Sequence, residues 1–598
     1  VDAAAASPGA KRGTPLQQVG DLYAAGMDVE RLKALGATPL QPAWDRIAKI
    51  DGQKALAEEL ARLSLLTNHP VFVDVSVMQD LKDPTRYVVA AADPDLALPA
   101  REDYLEADLA AVRTAYLKTI KDSLVLAGVP AEQAQSRAAK VLAIETRIAG
   151  KRLTEEQKRD FNATYQTRPY AEIKAALSPL DLDAYFQALG LPTGVDLLVT
   201  EAAALKERGA LLADYPLADI KDYLQWEVLR LMSPYLAPAF VDAQAPLNRA
   251  LTGQAEMSKR EQVVAGAVAH GVGHALGQLY VERYFPAQSR ADAEAVLTKV
   301  RAELRQRLEQ NTWLTAPTKS YALEKFDKIK IVVGFPDKWI DYSAVDVKRD
   351  DYYGDITRLN EFSRRRMLSR LGTPPAPDRF ADPDHTLPTV VNAGYSPDMN
   401  GIEIPAAILQ PPFYDPKADA AVNYCTLGAV IGHELTHSLD SFGRLFDANG
   451  ALRDWWTPAD IAAFDERSKN LIAQADAYEV VPGVHLNGRL SSGENLADLG
   501  GVMLGYNALQ THLKANPEDD RKIDGFTPQQ RCFLAWAQVW AEKVQPELLR
   551  THAATDPHPP GAYRMVMPAR NHPAFYEAFG VRPGDRMWLD PNSRVSMW

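Results

Sequence analysis

Apolar residues recur at three- and four-residue spacings over residues 53–64, 105–126, 131–149 and 291–309, with Pro- and Gly-containing turns between the runs. That period predicts helices, and the stretch from residue 14 to about 345 reads as mostly helical, with no fixed-period repeat. A weakly patterned, Pro-rich run at 374–388 follows FPDKWIDY (335–342) and the Arg364-Arg365-Arg366 cluster, and marks the passage between domains. Beyond it, residues 389–392 are β-like and residues 402–404 form a short apolar strand after the Asn400-Gly401 turn, together a candidate hairpin. The expected fold is mostly α with a small β component, in two domains: a helical one over 1–345 and a second over 346–598.

Composition narrows the class. A chain of 598 residues, 46% hydrophobic and 24% charged, can bury two full cores. Its formal charge of −12 argues against nucleic acid as a partner. No stretch reaches eighteen consecutive apolar residues, so no membrane-spanning helix is expected. Two cysteines, Cys425 and Cys532, do not make a disulfide framework, and a bridge between them and a pair of free thiols both stay open.

The chemistry lies in two helical stretches. Residues 423–440 contain His433-Glu434-Leu435-Thr436-His437, which puts both imidazoles on one helix face, where they can grip one metal ion. Glu434 then sits beside the metal, suited to take a proton from bound water. Residues 491–506 place Glu494 and Asp498 on one face after a Ser-Ser-Gly turn that can cap the helix. A catalytic zinc wants three protein ligands and one open position, so His433, His437 and Glu494 are the expected ligands of one Zn2+ per chain. Asp440 and Asp498 are close enough along the sequence to accept the second N–H of a metal-bound imidazole. Which acid holds which histidine is not readable from spacing.

With these residues the chain resembles the neprilysin and endothelin-converting-enzyme family of zinc endopeptidases. The HExxH and Glu494-Asn495-Leu496-Ala497-Asp498 motifs come in the family's order, with Val391-Asn392-Ala393, Ile404-Pro405-Ala406 and His558 through Arg564 around them. The similarity runs from about Gly20 to Trp598. The resemblance implies a thermolysin-like catalytic domain capped by the helical one, which would restrict substrates to oligopeptides. It implies attack by metal-activated water with Glu434 as general base, His558 stabilising the oxyanion and Arg564 binding substrate carbonyls. Asn392 and Ala393 would pair with extended substrate, although Gly394 stands where the family has an aromatic residue. An apolar pocket of Ile408, Phe413, Val430, Val539 and Trp540 implies cleavage on the amino side of hydrophobic residues. The resemblance also implies a segment ahead of Gly20 that helps build the catalytic domain. The poverty in cysteine resembles bacterial relatives, so a monomeric periplasmic or secreted enzyme is expected. An aminopeptidase would need acidic groups to anchor a free amine, and none are evident; an inactive peptide-binding protein is the alternative from another class.

One further pair needs weighing. His270 and His274 are also four residues apart, but the glycines at 271, 273 and 277 and the lack of an acid between the histidines favour close helix packing over a metal site.

Overall fold

The computed structural model describes residues 1–376 and 386–597, apart from the side chains at 162 and 163. Most of the 374–388 passage therefore falls outside the described residues. The chain is mostly helical and divides into two compact units that are discontinuous in sequence. One comprises Val1–Asp80, Thr85–Leu276 and Ile340–Pro375; the other comprises Leu81–Pro84, Gly277–Trp339 and Ala376–Trp598. A single cut at 345 is thus corrected. Gly277–Trp339 belongs with the HExxH helix, because the helix Ala287–Gln310 supplies Val300, Leu304 and Leu308 to that unit's core.

In the first unit the helical period is obeyed at Gln53–Thr67 and Ala131–Ala149. The 105–126 run is interrupted: Arg101–Leu105 ends at an extended Glu106, a short turn Ala107–Leu109 follows, and the helix restarts at Ala110–Leu126. The unit also holds a four-stranded sheet that sequence pattern did not show. Its order is Asp74–Gln79, Tyr87–Ala92, Leu197–Val199, Gln166–Arg168, with one parallel and two antiparallel pairings. Two of these strands have three residues each, too few to display a period of two.

The His270 and His274 pair lies on the helix Arg260–Tyr284, which is broken at Val272 by non-helical angles (φ −129°, ψ 40°). The break interrupts the regular helical spacing that would set the two rings on one face. His270 stacks on His69 at 6.3 Å between ring centroids, and His274 is buried. A Cβ on Gly271 would stand 3.0 Å from Leu359, so this glycine does serve close packing.

The second unit is organised on two helices, Leu427–His437 and Ser492–Ala515. Their approach is set by glycine. A Cβ on Gly500 would lie 2.3 Å from Thr436 Oγ1, one on Gly501 2.4 Å from the Ala429 carbonyl, and one on Gly505 2.4 Å from the Tyr424 carbonyl. With no side chain at these positions the backbones come close enough for short side chains of the second helix to reach the histidines of the first. The helix expected to start at Asn423 instead breaks at Thr426 (φ −110°, ψ −85°), whose single hydroxyl proton is shared between the carbonyls of Phe413, at 2.5 Å, and Val422, at 2.9 Å. Nor does a serine cap the second helix through its side chain: Ser491 Oγ donates to the Asn487 carbonyl.

Beside the helices lies a three-stranded sheet with Gly401–Pro405 in the centre, Lys330–Gly334 parallel to it, and Gly394–Ser396 antiparallel as the other edge. The expected hairpin exists, turning at Asn400 with φ +45°, but its first strand is Gly394–Ser396 rather than 389–392. Residues 387–390 are held in a turn by the Val390 N–H to Leu387 carbonyl bond, which leaves Asn392 and Ala393 just ahead of the edge strand. Cys425 and Cys532 form a disulfide joining the helices Ala420–Cys425 and Pro528–Val539, which settles the question left open by the sequence.

Candidate metal centre

His433 and His437 project from adjacent turns of one helix with their Nε2 atoms 2.9 Å apart. Glu494, in the first turn of the facing helix, reaches both: Oε2 lies 3.3 Å from His433 Nε2, and Oε1 lies 3.7 Å from His437 Nε2. Glu434 also borders the cluster, with Oε1 4.0 Å from His433 Nε2. As Glu494 straddles both imidazoles at shorter range, it is the better third ligand, and Glu434 is left at the flank.

The assignment of the supporting acids, undecidable from spacing, is fixed by packing. His433 Nδ1 pairs with Asp498 Oδ1 at 2.9 Å and His437 Nδ1 with Asp440 Oδ2 at 2.7 Å. Asp440 is itself held by the backbone N–H groups of Phe442 and Gly443 on Oδ1. Both imidazoles are therefore oriented with Nε2 toward the cluster. Arg564 donates Nε–H to Asp498 Oδ2 at 2.8 Å and Nη2–H to Oδ1 at 2.7 Å, and its guanidinium lies 3.8 Å from the centroid of the Trp540 ring.

Electrostatics and donor chemistry fit a divalent cation. Burial opposes protonation of His433, but the bond to Asp498 and the carboxylates of Glu494 and Glu434 outweigh it and push its pKa up to about 10. His437 is also raised, against burial, by Glu494 and Asp440. Burial works against the Glu494 carboxylate, yet the surrounding histidines hold it well below the usual range. Such crowding of anionic oxygens around two imidazoles draws in positive charge. Glu494 Oε2 is buried and, among the described residues, has no hydrogen-bond donor aligned to it, leaving a lone pair free beside the imidazoles. Two imidazole nitrogens and one carboxylate, each oriented by a neighbour, match zinc's preferred donors.

Of the remaining predicted residues, His558 is half exposed and contacts the cluster, with Nε2 3.4 Å from Glu494 Oε2. Its ring is oriented by Asp556, whose Oδ1 meets His558 Nδ1 at 2.7 Å and accepts the His558 backbone N–H at 2.8 Å. Asp556 is the site residue that sequence reasoning missed; the signal available was an acid two residues before the histidine in a Pro-rich loop. The apolar set divides. Ile408, Phe413 and Val430 pack in the core beside the HExxH helix, while Val539 and Trp540 pack with Phe533, Trp536 and Ala429 in a smaller cluster. Ala429 and Val430 are neighbours in the HExxH helix, so this helix borders both groups.

A buried His-Glu-His cluster, braced by carboxylates and set on two glycine-packed helices, defines a zinc metallopeptidase. The chain belongs to peptidase family M13, the neprilysin and endothelin-converting-enzyme family of zinc metalloendopeptidases: residues 2–336 match the model of the family's amino-terminal part and residues 392–595 that of its peptidase part. The family match thus begins ahead of Gly20. Endothelin-converting enzyme 1 of Homo sapiens is 29% identical over 596 residues, spanning 96% of this chain and 76% of that protein. The endothelin-converting enzyme homolog of Locusta migratoria is 28% identical over 96% of this chain and 82% of its own length. Among solved structures, the zinc metalloprotease ZMP1 of Mycobacterium tuberculosis in complex with an inhibitor has a TM-score of 0.92 at 34% identity, covering 99% of this chain and 90% of that one. PepO of Lactobacillus rhamnosis has a TM-score of 0.87 at 27% identity, covering 100% and 93%. No described helix is long and apolar enough to cross a membrane.

Proposed function

We propose that this metalloendopeptidase holds one zinc ion on His433, His437 and Glu494 and cuts oligopeptides on the amino side of hydrophobic residues, with Glu434 as general base. The observation that carries the reading is that the two Nε2 atoms lie 2.9 Å apart and each has one Glu494 oxygen within 3.7 Å, with Glu434 alongside. Zinc bound there supplies Lewis acidity that polarises the scissile carbonyl and acidifies water. Glu434 accepts the proton of the attacking water and delivers it to the departing amine. His558, oriented by Asp556, donates to the oxygen that becomes negative as the carbonyl turns tetrahedral. Extended substrate pairs with the backbone of Asn392 and Ala393, beside the open edge strand. The side chain following the scissile bond rests on Phe413, Val430, Val539 and Trp540, with Ile408 behind them. Arg564 remains a candidate for substrate carbonyls with the donors not used on Asp498. The Cys425–Cys532 disulfide supports an oxidising compartment, the periplasm or the exterior.

The test is hydrolysis of internally quenched peptides with blocked amino termini, together with metal analysis. Cleavage before hydrophobic residues, abolished by a chelator and restored by zinc, is expected. Release of amino-terminal residues from unblocked peptides only would replace this reading with an aminopeptidase. Zinc binding without any hydrolysis would replace it with a peptide-binding protein.

His558→Ala gives a second expected outcome. Because the bond to the developing oxyanion strengthens in the transition state, turnover should fall by roughly a hundredfold while KM changes little. Equal kcat in parent and variant, at equal zinc content, would return the 556–564 segment to a structural role.

A further inference from the structure

Lys325 is the most deeply buried lysine of the unit that holds the metal cluster: it is 0% exposed, near the end of the helix Ala316–Asp327. Among the described residues no carboxylate lies within ion-pair distance of its Nζ. Burial pushes its pKa down to about 7, with Asp440 and Asp447 the neighbouring charges that favour the ammonium form. Burying such a group costs stability that an apolar side chain of similar length would not. Its contacts show what it does there.

Nζ donates to the carbonyl of Gly443 at 2.6 Å and to that of Phe446 at 2.8 Å, the latter also accepting from Trp455 Nε1 at 2.9 Å. The rings of Trp455 and Tyr395 lie 5.8 and 5.9 Å from the ammonium. Gly443 opens the short turn Gly443–Leu445 that follows the HExxH helix. Its N–H, with that of Phe442, fixes Asp440, and Asp440 fixes His437. The turn rests directly on the end of the ligand helix, since a Cβ on Gly443 would stand 1.8 Å from the His437 carbonyl. The Lys325 backbone reaches the other way. Its carbonyl accepts from Asn400 Nδ2 at 3.0 Å; that amide also donates to the Ala448 carbonyl at 3.1 Å, and Asn400 Oδ1 accepts the Tyr395 hydroxyl at 2.9 Å. Tyr395 belongs to the edge strand Gly394–Ser396.

We propose that Lys325 is a positioning residue of the peptidase centre: its ammonium group, through Gly443 and Asp440, fixes the imidazole of His437, and its carbonyl, through Asn400, holds the substrate-side edge strand in register with that imidazole. The inference rests on His437 as a metal ligand. It places one residue behind both halves of the reaction, metal holding and peptide alignment, and gives the buried amino group a reason that packing alone does not.

The experiment compares the parent, Lys325→Met and Asn400→Gly. Met keeps the length and removes the donor; Gly suits the positive φ at 400 and removes only the side-chain bonds. Zinc-loaded proteins are mixed with excess chromogenic chelator to read the release rate, and amide exchange is followed at Phe442 and Gly443. Lys325→Met should release zinc about tenfold faster, exchange both amides faster and lower kcat about tenfold, with KM within about twofold. Asn400→Gly should raise KM several-fold with kcat within about twofold. Zinc content of the parent reports separately on the ligand assignment. Variants that only melt earlier, with parental release, exchange and KM, overturn the proposal. Should Lys325→Met not fold, Asn400→Gly decides alone: unchanged KM overturns it.

Discussion

A Glu434→Gln protein is expected to bind zinc like its parent and to turn peptides over roughly a thousandfold more slowly, about 4 kcal/mol of lost transition-state stabilisation. The change is isosteric, and the site geometry says what it spares. His433 and His437 are oriented by Asp498 and Asp440, not by Glu434, and Glu494 bridges them independently. Glu434 lies 4.0 Å from His433 Nε2 and is 5% exposed, so it is close to where water would be activated yet outside the straddled position of a ligand. An amide there can hydrogen-bond but cannot accept and return a proton. Metal analysis and steady-state kinetics on one quenched peptide check the result. Loss of zinc with retained turnover would exchange the roles of Glu434 and Glu494.

The candidate metal cluster was legible because its spacing is local. His433 with His437 and Glu494 with Asp498 each sit four residues apart on a helix, and helix geometry alone aligns such pairs. What brings the two helices together was visible only as composition: Gly500, Gly501 and Gly505 stood in the sequence as small residues, and their meaning depends on which backbone they approach. For the same reason the partners of Asp440 and Asp498 were ambiguous, since both acids lie within reach in sequence and only the docking of the helices separates them. Long helices such as Ala131–Ala149 were readable from period, whereas three-residue strands such as Leu197–Val199 carry too few positions to show one. The discontinuous units were hidden because Gly277–Trp339 is helical like the residues before it, and pattern does not say which core a helix joins. Lys325 and Asp556 were invisible for a related reason. Each acts on a residue that already looked functional, through contacts that no motif encodes.

Asp498→Asn should weaken metal binding and folding together. The Asp498 side chain is fully buried and serves two cations or potential cations at once, accepting two bonds from Arg564 and pairing with His433 Nδ1. In the variant the amide NH2 must face a donor from one of them. Two losses follow. His433 is no longer held in the orientation that presents Nε2, so zinc should bind about 10- to 100-fold more weakly. Arg564, itself 7% exposed, is left as a buried charge with its partner removed, so the fold should lose about 3–5 kcal/mol. The acid profile gives an independent check. Burial opposes ionisation of Asp498, but Arg564 and His433 lower its pKa below the ordinary aspartate value. A depressed pKa contributes stability that is present above the unfolded value, near pH 4, and is lost as pH falls through the folded one. The parent should therefore lose stability below about pH 4 more steeply than Asp498→Asn, which lacks that carboxylate. Denaturant midpoints across this range, with zinc titration at neutral pH, test both effects. Arg564→Ala separates them further, because it removes the cation while leaving Asp498 on His433. If Arg564 serves mainly to brace Asp498, this variant should lose zinc affinity and stability with KM for peptides unchanged; if it also grips substrate carbonyls, KM should rise even at saturating zinc.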